Sequence, residues 1–427
     1  MQSLRTLAIF FSLLGSISLL GTGPRVIEKH KEDAIKLFRT YIQSENWNNL
    51  AKDIARGLHK KAVSIQDLET LAAENPSSLF ATALTSAKRL ATCKTGLKEH
   101  DLVPIAILAE STIACKPGKQ FWESKEFGTE LQYDPETNFF FIHLDKPLGE
   151  GRKKIVTKTL RYDRENPELF ARGTTTFNIK DEMDAMRALK GLPCLLEAKA
   201  LMTHKDPKSH KKISTIVTPI YSGALQDIFD KNIKLSFKQK LKIAHDIMQG
   251  ITAMQAKGYV HRDLGARNYF YQATISKKKI TDISAVVADM GRTIPASDAA
   301  KKPVQGNSSY ISPEGFFRSK MKGNHYYQSD LFAVGCVFWE LYFEKPAAWR
   351  KVRAYKKEEL PIKERFQLHL SLIQKERADV QKDLPKPSKF GAKEHFITLI
   401  LKMTDPNPRK RCTAKKALAE IESIIKA

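Results

Sequence analysis

Three short strings gather oxygen-bearing side chains and glycines in a way that suits phosphate and a hard cation. In GYVHRDLGARNYF, the carboxylate of Asp263 and the carboxamide of Asn268 share one short loop. Hard divalent cations take oxygen ligands, and a short loop can aim two such side chains at one point. VVADMG supplies another carboxylate, Asp289, at the end of an apolar run. Upstream, PLGEGRKKIVTKT carries Gly149 and Gly151. With no side chain in the way, the backbone N–H groups of such a loop can approach phosphate oxygens. Cations follow at Lys154, Lys158 and Arg172, and EMDAMRAL adds the acid Glu182.

The surrounding pattern says which elements must position these groups. From about residue 26 to 111 apolar residues recur at three-to-four spacing, as in WNNLAKDIARGL and IQDLETLAAE, which predicts a helical region. Asn75-Pro76-Ser77-Ser78 reads as a helix stop followed by a new start. From Phe121 the composition turns aromatic and β-branched, and TNFFFIHLDKPLGEG, KKIVTKTLRYD and ELFARGTTTF read as successive antiparallel strands. A helix over DEMDAMRALKGL comes next. After Thr218 the pattern is mainly helical, broken near 259–315 by a loop-rich section that holds Asp263, Asn268 and Asp289. Strands first and helices later predict an α+β unit of two lobes, a small antiparallel β lobe and a large helical lobe, preceded by an N-terminal helical region.

The ordered set of motifs resembles the protein kinase superfamily. His261-Arg262-Asp263 with Asn268 is similar to its catalytic loop, and Asp289-Met290-Gly291 to its metal-binding turn, with Met290 in place of the usual aromatic. GNSSYISPE resembles the end of an activation segment, with Glu314 expected to pair with Arg411, and QSDLFAVGCVFWELYF the buried helix whose Asp330 would hold the catalytic-loop backbone. Sugar and aminoglycoside kinases share the acidic residues but generally lack these last segments, so a small-molecule kinase is the disfavoured reading. The resemblance implies that Asp263 accepts the substrate hydroxyl proton and that Asn268 and Asp289 bind Mg2+ between the phosphates of ATP. It also implies a nucleotide site of Gly149, Gly151, Lys154, Val156, Lys158, Arg172 and Glu182, with Thr218 as gatekeeper and Pro219 to Tyr221 as hinge. Arg262 would grip a phosphorylated residue of the segment after Asp289, with Thr293, Ser297, Ser308 and Ser309 as candidates and Lys301 or Lys302 nearby.

The small lobe departs from the pattern. Leu169-Phe170-Ala171-Arg172 aligns with the family's V-A-I-K, so arginine stands where the ATP-binding lysine belongs. The two cations are not interchangeable at such a site. In the with-no-lysine kinases a lysine at the third glycine of the loop supplies this charge, and Lys154 occupies that position, with Lys158 the runner-up. The alternative is a pseudokinase that scaffolds or binds partners with little transfer. The acceptor preference leans to serine and threonine through GNSSYISPE, although Arg267-Asn268 resembles the tyrosine-kinase loop and Gly265 stands where serine/threonine kinases usually carry lysine.

Domain boundaries are expected at 1–24 for a signal peptide or membrane anchor, 25–120 for the helical region and 138–425 for the kinase domain. The apolar run from Leu7 to Gly21 is short for a spanning helix. It resembles an export signal, with an anchor or a core helix as the other readings. These imply respectively an exported, a membrane-associated or a cytoplasmic protein. The 427 residues carry 71 Lys and Arg against 47 Asp and Glu, a net +24 that attracts anionic partner surfaces in general. The basic residues are not interleaved with aromatics along one stripe, which disfavours a dedicated nucleic-acid surface. Five dispersed cysteines without a CxxC pair argue against a zinc site or a disulfide framework. Protein substrates and ATP are the expected partners.

Overall fold

A computed structural model of the chain describes residues 24–92, 99–114, 121–124, 129–134, 137, 139–150, 154–163, 166–205, 210–276, 279–301, 310–321, 323–354 and 361–427. The N-terminal apolar run, Gly151, Ser308, Ser309, Lys302, Cys93 and Cys115 lie outside them. No helix among the described residues is long and apolar enough to cross a membrane. The chain divides into two compact units, residues 1–176 with 202–217, and 177–201 with 218–427.

The first unit opens with helices α1 (Pro24–Gln43), α2 (Trp47–His59), α3 (Ile65–Ala73), α4 (Leu79–Thr92) and α5 (Glu99–Ala114). Local chemistry sets their starts. Ser64 and Asp67 form a reciprocal capping box on α3, and the Ser78 hydroxyl accepts the Ala81 N–H after the proline stop, at 3.1 Å. From Leu102 to Ala109 helix α5 is apolar on every side, with Leu102, Val103, Ile105, Ala106, Ile107 and Ala109 buried, which marks it as the centre of the layer.

Strands β1 (Phe121–Ser124), β2 (Thr129–Asp134), β3 (Phe139–Glu150), β4 (Ile155–Tyr162) and β5 (Glu168–Thr175) pair antiparallel in sequence order. With β6 (Ala200–Lys205) and β7 (Lys212–Pro219) they make a seven-stranded sheet of order β1-β2-β3-β4-β5-β7-β6. Side chains alternate across a strand, so Phe140, Ile142 and Leu144 of β3 share a face with Leu160 and Tyr162 of β4. That face belongs to one hydrophobic cluster with Phe38, Leu50, Ile54, Phe80 and Leu102 of the helices. A buried carboxylate ties the two layers, because Glu110 of α5 accepts the Tyr162 hydroxyl at 2.7 Å and the Ser86 hydroxyl of α4 at 3.3 Å. The opposite face carries Phe141, His143, Thr159, Phe170 and Arg172, all buried. Burial, then the nearby Arg172 and His204, push the His143 imidazole well below its ordinary pKa.

The second unit holds α6 (Lys180–Ala188), the short β8 (Gly223–Ala224), α7 (Leu225–Asp230), α8 (Phe237–Ala256), β9 (Tyr259–Val260), β10 (Tyr269–Ser276), β11 (Lys279–Val287) and β12 (Ile294–Pro295). Helices α9 (His325–Phe343), α10 (Ile362–Lys382), α11 (Ala392–Met403) and α12 (Ala414–Lys426) complete it. The section expected to be loop-rich contains a long hairpin, β10 against β11. Its inward residues Ile283, Ala285 and Val287 recur at period two, with exposed residues between the first of them. Helix α9 is buried nearly all round from Asp330 to Leu341, with Trp339 1% exposed. Cys194, Cys336 and Cys412 are free thiols, and burial raises each of them, Cys194 to about 11.

The expected ion pair is present. Arg411 meets Glu314 with both terminal nitrogens, at 2.6 and 2.9 Å, and donates further to the carbonyls of Gln328 and Asp405. Its side chain is wholly buried, with the guanidinium carbon 4.8 Å from the centre of the Phe332 ring.

Two consequences are measurable by denaturant and thermal unfolding. Glu314→Ala or Arg411→Ala should lose about 3–5 kcal/mol, because each strands the partner's charge in the interior. Melting of either variant at the wild-type temperature would show that the pair contributes nothing. Tyr162→Phe should lose about 1–3 kcal/mol by removing a donor from the buried Glu110. An unaltered urea midpoint would mean that the tie between helices and sheet is dispensable.

Candidate active site

The catalytic loop begins where α8 ends. Gly258, at φ +78°, turns the chain out of the helix, a backbone region that glycine enters without a Cβ penalty. The two-residue strand β9 then pairs with β12 through Val260 and Ile294. The next two residues are gripped from below, because the Asp330 carboxylate of α9 accepts the His261 N–H at 2.7 Å and the Arg262 N–H at 2.9 Å. Burial raises the Asp330 pKa, while His261, Arg262 and the two N–H bonds act the other way. Arg262 sits at φ +66°, a strained setting for a side chain of its size. Its Nε donates to the Arg292 carbonyl at 2.9 Å.

Within the loop, the His261 Nδ1 accepts the Asp263 N–H at 3.3 Å, which leaves Nε2 to donate to the Ala288 carbonyl at 2.9 Å. The Asn268 amide donates to the Asp263 carbonyl at 2.6 Å, so its nitrogen is spent on the loop and its oxygen is the atom left to act as a ligand. The Asn268 carbonyl in turn accepts the Ala288 N–H at 2.8 Å, placing the residue before Asp289 against the loop. Asp289 is exposed and left-handed at φ +57°, with one carboxylate oxygen accepting the Gly291 N–H at 3.3 Å. Met290 is 1% exposed and receives the Thr293 hydroxyl on its sulfur, so the thioether fills the space beneath the turn. Thr293 is buried with its hydroxyl so engaged, which removes it from the expected phosphorylation sites. Ser297 is exposed.

Glu182, from the buried side of α6, reaches the same turn: a Cβ added to Gly291 would lie 3.6 Å from its carboxylate. Asp263, Asn268, Asp289 and Glu182 therefore meet within one unit. Arg292 joins them, with its Nε 3.2 Å from Asp263 Oδ2. Sequence reasoning passed over this arginine, and its one signal was a basic residue directly after the DMG string. Among the described residues no three acidic, His or Cys side chains form a closed metal cage. The site instead offers two oxygen-bearing side chains, Asn268 and Asp289, a donor set that fits Mg2+ completed by phosphate oxygens and water.

The other predicted binding residues lie on the seven-stranded sheet and on the chain after it. Gly149 pairs with Val156, Val156 with Gly173, and Thr157 with Arg172. The Lys154 stem passes Gly173, with its Cδ 3.8 Å from where a Cβ there would stand. Successive residues of a strand face opposite ways, so Lys154 and Arg172 approach neighbouring positions of β5 from its two faces. Lys158 is half-buried two residues beyond Val156. Thr218, half-buried, is the last residue but one of β7, and the Tyr221 ring lies 5.9 Å from that of Phe270. Burial, then the nearby Glu197 and Cys194, raises the Tyr221 pKa.

Comparison with known proteins agrees with this geometry. The protein kinase domain family matches residues 148–421. Dual specificity testis-specific protein kinase 2 of Rattus norvegicus is 28% identical over 169 residues, 38% of this chain and 27% of that protein. A probable serine/threonine-protein kinase of Dictyostelium discoideum is 27% identical over 234 residues, 53% of this chain and 13% of its own length. A probable LIM domain-containing serine/threonine-protein kinase of the same organism is 34% identical over 143 residues, 32% and 20% of the two chains. The matches thus span about a quarter or less of these relatives. The family match extends over well more than half of the chain and takes in the catalytic loop, the DMG turn and the Glu314–Arg411 pair, and the chain belongs to the protein kinase family.

Proposed function

We propose that the chain transfers the γ-phosphate of ATP to serine and threonine hydroxyls of protein substrates, with Mg2+ as cofactor. The observation that carries this reading is the retention of Asp263, Asn268 and Asp289 on a loop and turn locked together by backbone hydrogen bonds. A phosphoryl-transfer site needs little covalent chemistry from the protein and works by positioning and charge. Asp263 orients the acceptor hydroxyl and takes its proton. Asn268 and Asp289 would hold the cation, which would screen the phosphate charge. Glu182 packs beside the DMG turn. The names of the matched relatives, serine/threonine and dual specificity kinases, support hydroxyl acceptors of the serine and threonine type.

A second reading stays open on one observation. Arg172 occupies the strand position of the missing lysine, and the loop lysine that could replace it approaches from the other face of β5. A scaffold with weak or no transfer is the outcome if neither cation anchors ATP.

The full chain, incubated with ATP, Mg2+ and a mixed protein substrate, should yield phosphoserine and phosphothreonine on acid hydrolysis. Asp263→Asn should fold normally and lose about two to four decades in rate, the usual weight of a positioned general base. A variant as fast as wild type would remove Asp263 from the mechanism. For the anchor, Lys154→Ala is expected to raise the KM for ATP and lower kcat together, with Arg172→Ala and Lys158→Ala milder, since a phosphate contact that tightens in the transition state affects both constants. Wild-type kinetics for Lys154→Ala beside an inactive Arg172→Ala would transfer the role to the arginine.

A further inference from the structure

We infer that Arg292 is a phosphate-binding residue of the transfer site, supplying next to Asp263 the cation that Gly265 does not. This rests on the kinase reading above. The position two residues after the catalytic carboxylate, where serine/threonine kinases usually carry lysine, is Gly265. That position therefore brings no ammonium to the reacting groups. Arg292 reaches the same carboxylate from the other side, along the DMG turn, with its Nε 3.2 Å from Asp263 Oδ2.

Its mounting is firm at the backbone and incomplete at the head. The Arg292 carbonyl is held by Arg262 Nε, and the turn is closed by the Thr293 N–H on the Met290 carbonyl at 3.0 Å. At the other end Nη1 is buried and has no hydrogen-bond partner. A buried donor left unmet costs more than a partly exposed ion pair returns, so pairing with Asp263 does not by itself explain the placement. With the Arg292 side chain 36% exposed, there is room for an anion to approach it beside Asp263. A guanidinium is a planar fork with five donors, so Nε can stay on a carboxylate while a terminal nitrogen serves a phosphate oxygen.

The reaction geometry names that anion. The acceptor oxygen held by Asp263 must come within about 3–3.5 Å of the phosphorus it attacks. A guanidinium in contact with Asp263 therefore borders the equatorial oxygens of the phosphoryl group, where charge spreads in the transition state. No bond to Arg292 forms or breaks. It remains protonated throughout, while the hydroxyl proton goes to Asp263 and ADP departs with the bridging oxygen.

The test uses the full chain with Mg2+ and compares wild type, Arg292→Ala, Arg292→Gln and Arg292→Lys in two assays. In the first, steady-state transfer, Arg292→Ala should lose about 10²–10³ in kcat, the scale for removing one preorganised charge donor, and Arg292→Lys should recover part of it. In the second, equilibrium binding of ATP and ADP, Arg292→Ala should weaken ATP and leave ADP unchanged, because only ATP carries the terminal phosphate. A purely structural role would move both nucleotides together or neither, and either result overturns the inference. So does wild-type or faster transfer by Arg292→Ala, which would make the arginine a block on Asp263. If Arg292→Ala does not fold, Arg292→Gln carries the same comparison. A wild type that transfers no phosphate sinks the proposed function, yet its ATP-over-ADP preference still decides the role of Arg292. A wild type that binds neither nucleotide refutes both.

Discussion

Asp330 is a carboxylate buried in α9 that spends its two oxygens on the backbone N–H groups of His261 and Arg262. Everything chemical in the second unit hangs from that grip. It fixes the start of the catalytic loop, and so the direction of Asp263. The left-handed Arg262 that follows places its guanidinium on the Arg292 carbonyl, which positions the segment after the DMG turn. His261 and Asn268 then tie the loop to Ala288, immediately before Asp289. A buried acid of this kind is expensive, and its raised pKa records the desolvation. It survives because backbone donors satisfy it, and no apolar residue of similar size could hold two N–H groups at once.

The ion pair of Glu314 and Arg411 plays a parallel part lower in the same unit. A fully buried guanidinium needs all its donors answered, and two carboxylate oxygens with the main-chain carbonyls of Gln328, Asp405 and Pro406 do so. The segment ending at Glu314 is thereby fastened to the start of α12. The Asp330 grip leaves little freedom to the backbone on which Asp263 is mounted.

Short-range chemistry was legible in the sequence, because each motif is a few residues whose side chains work on their own neighbourhood. Asp263, Asn268 and Asp289, the Asp330 grip and the Glu314–Arg411 pair could all be placed from their strings. The hairpin of β10 and β11 was hidden by its polar outer face, since Ser284 between Ile283 and Ala285 reads as easily as loop. The contact of Arg292 with Asp263 depends on a left-handed residue at 289 and a turn of 3₁₀ type after it, neither of which composition reports. The merging of the helical layer with the sheet was equally invisible. Periodicity tells that α5 and β3 each own an apolar face and says nothing of whether those faces meet.

That shared core sets an order of events during synthesis. Helix α5, apolar on every side from Leu102 to Ala109, leaves the ribosome before β3 and β4 exist to cover it. Roughly fifty residues separate the end of α5 from the end of β4, so at the usual 5–20 residues per second the helices wait about 2–10 s for the sheet. During that interval Leu102, Val103, Ile105 and Ile107 must be shielded by α2 and α4 alone, or by a chaperone. The nascent helical layer is thus the template on which the strands condense, and also the stretch of this chain most exposed to misassembly while it is being made.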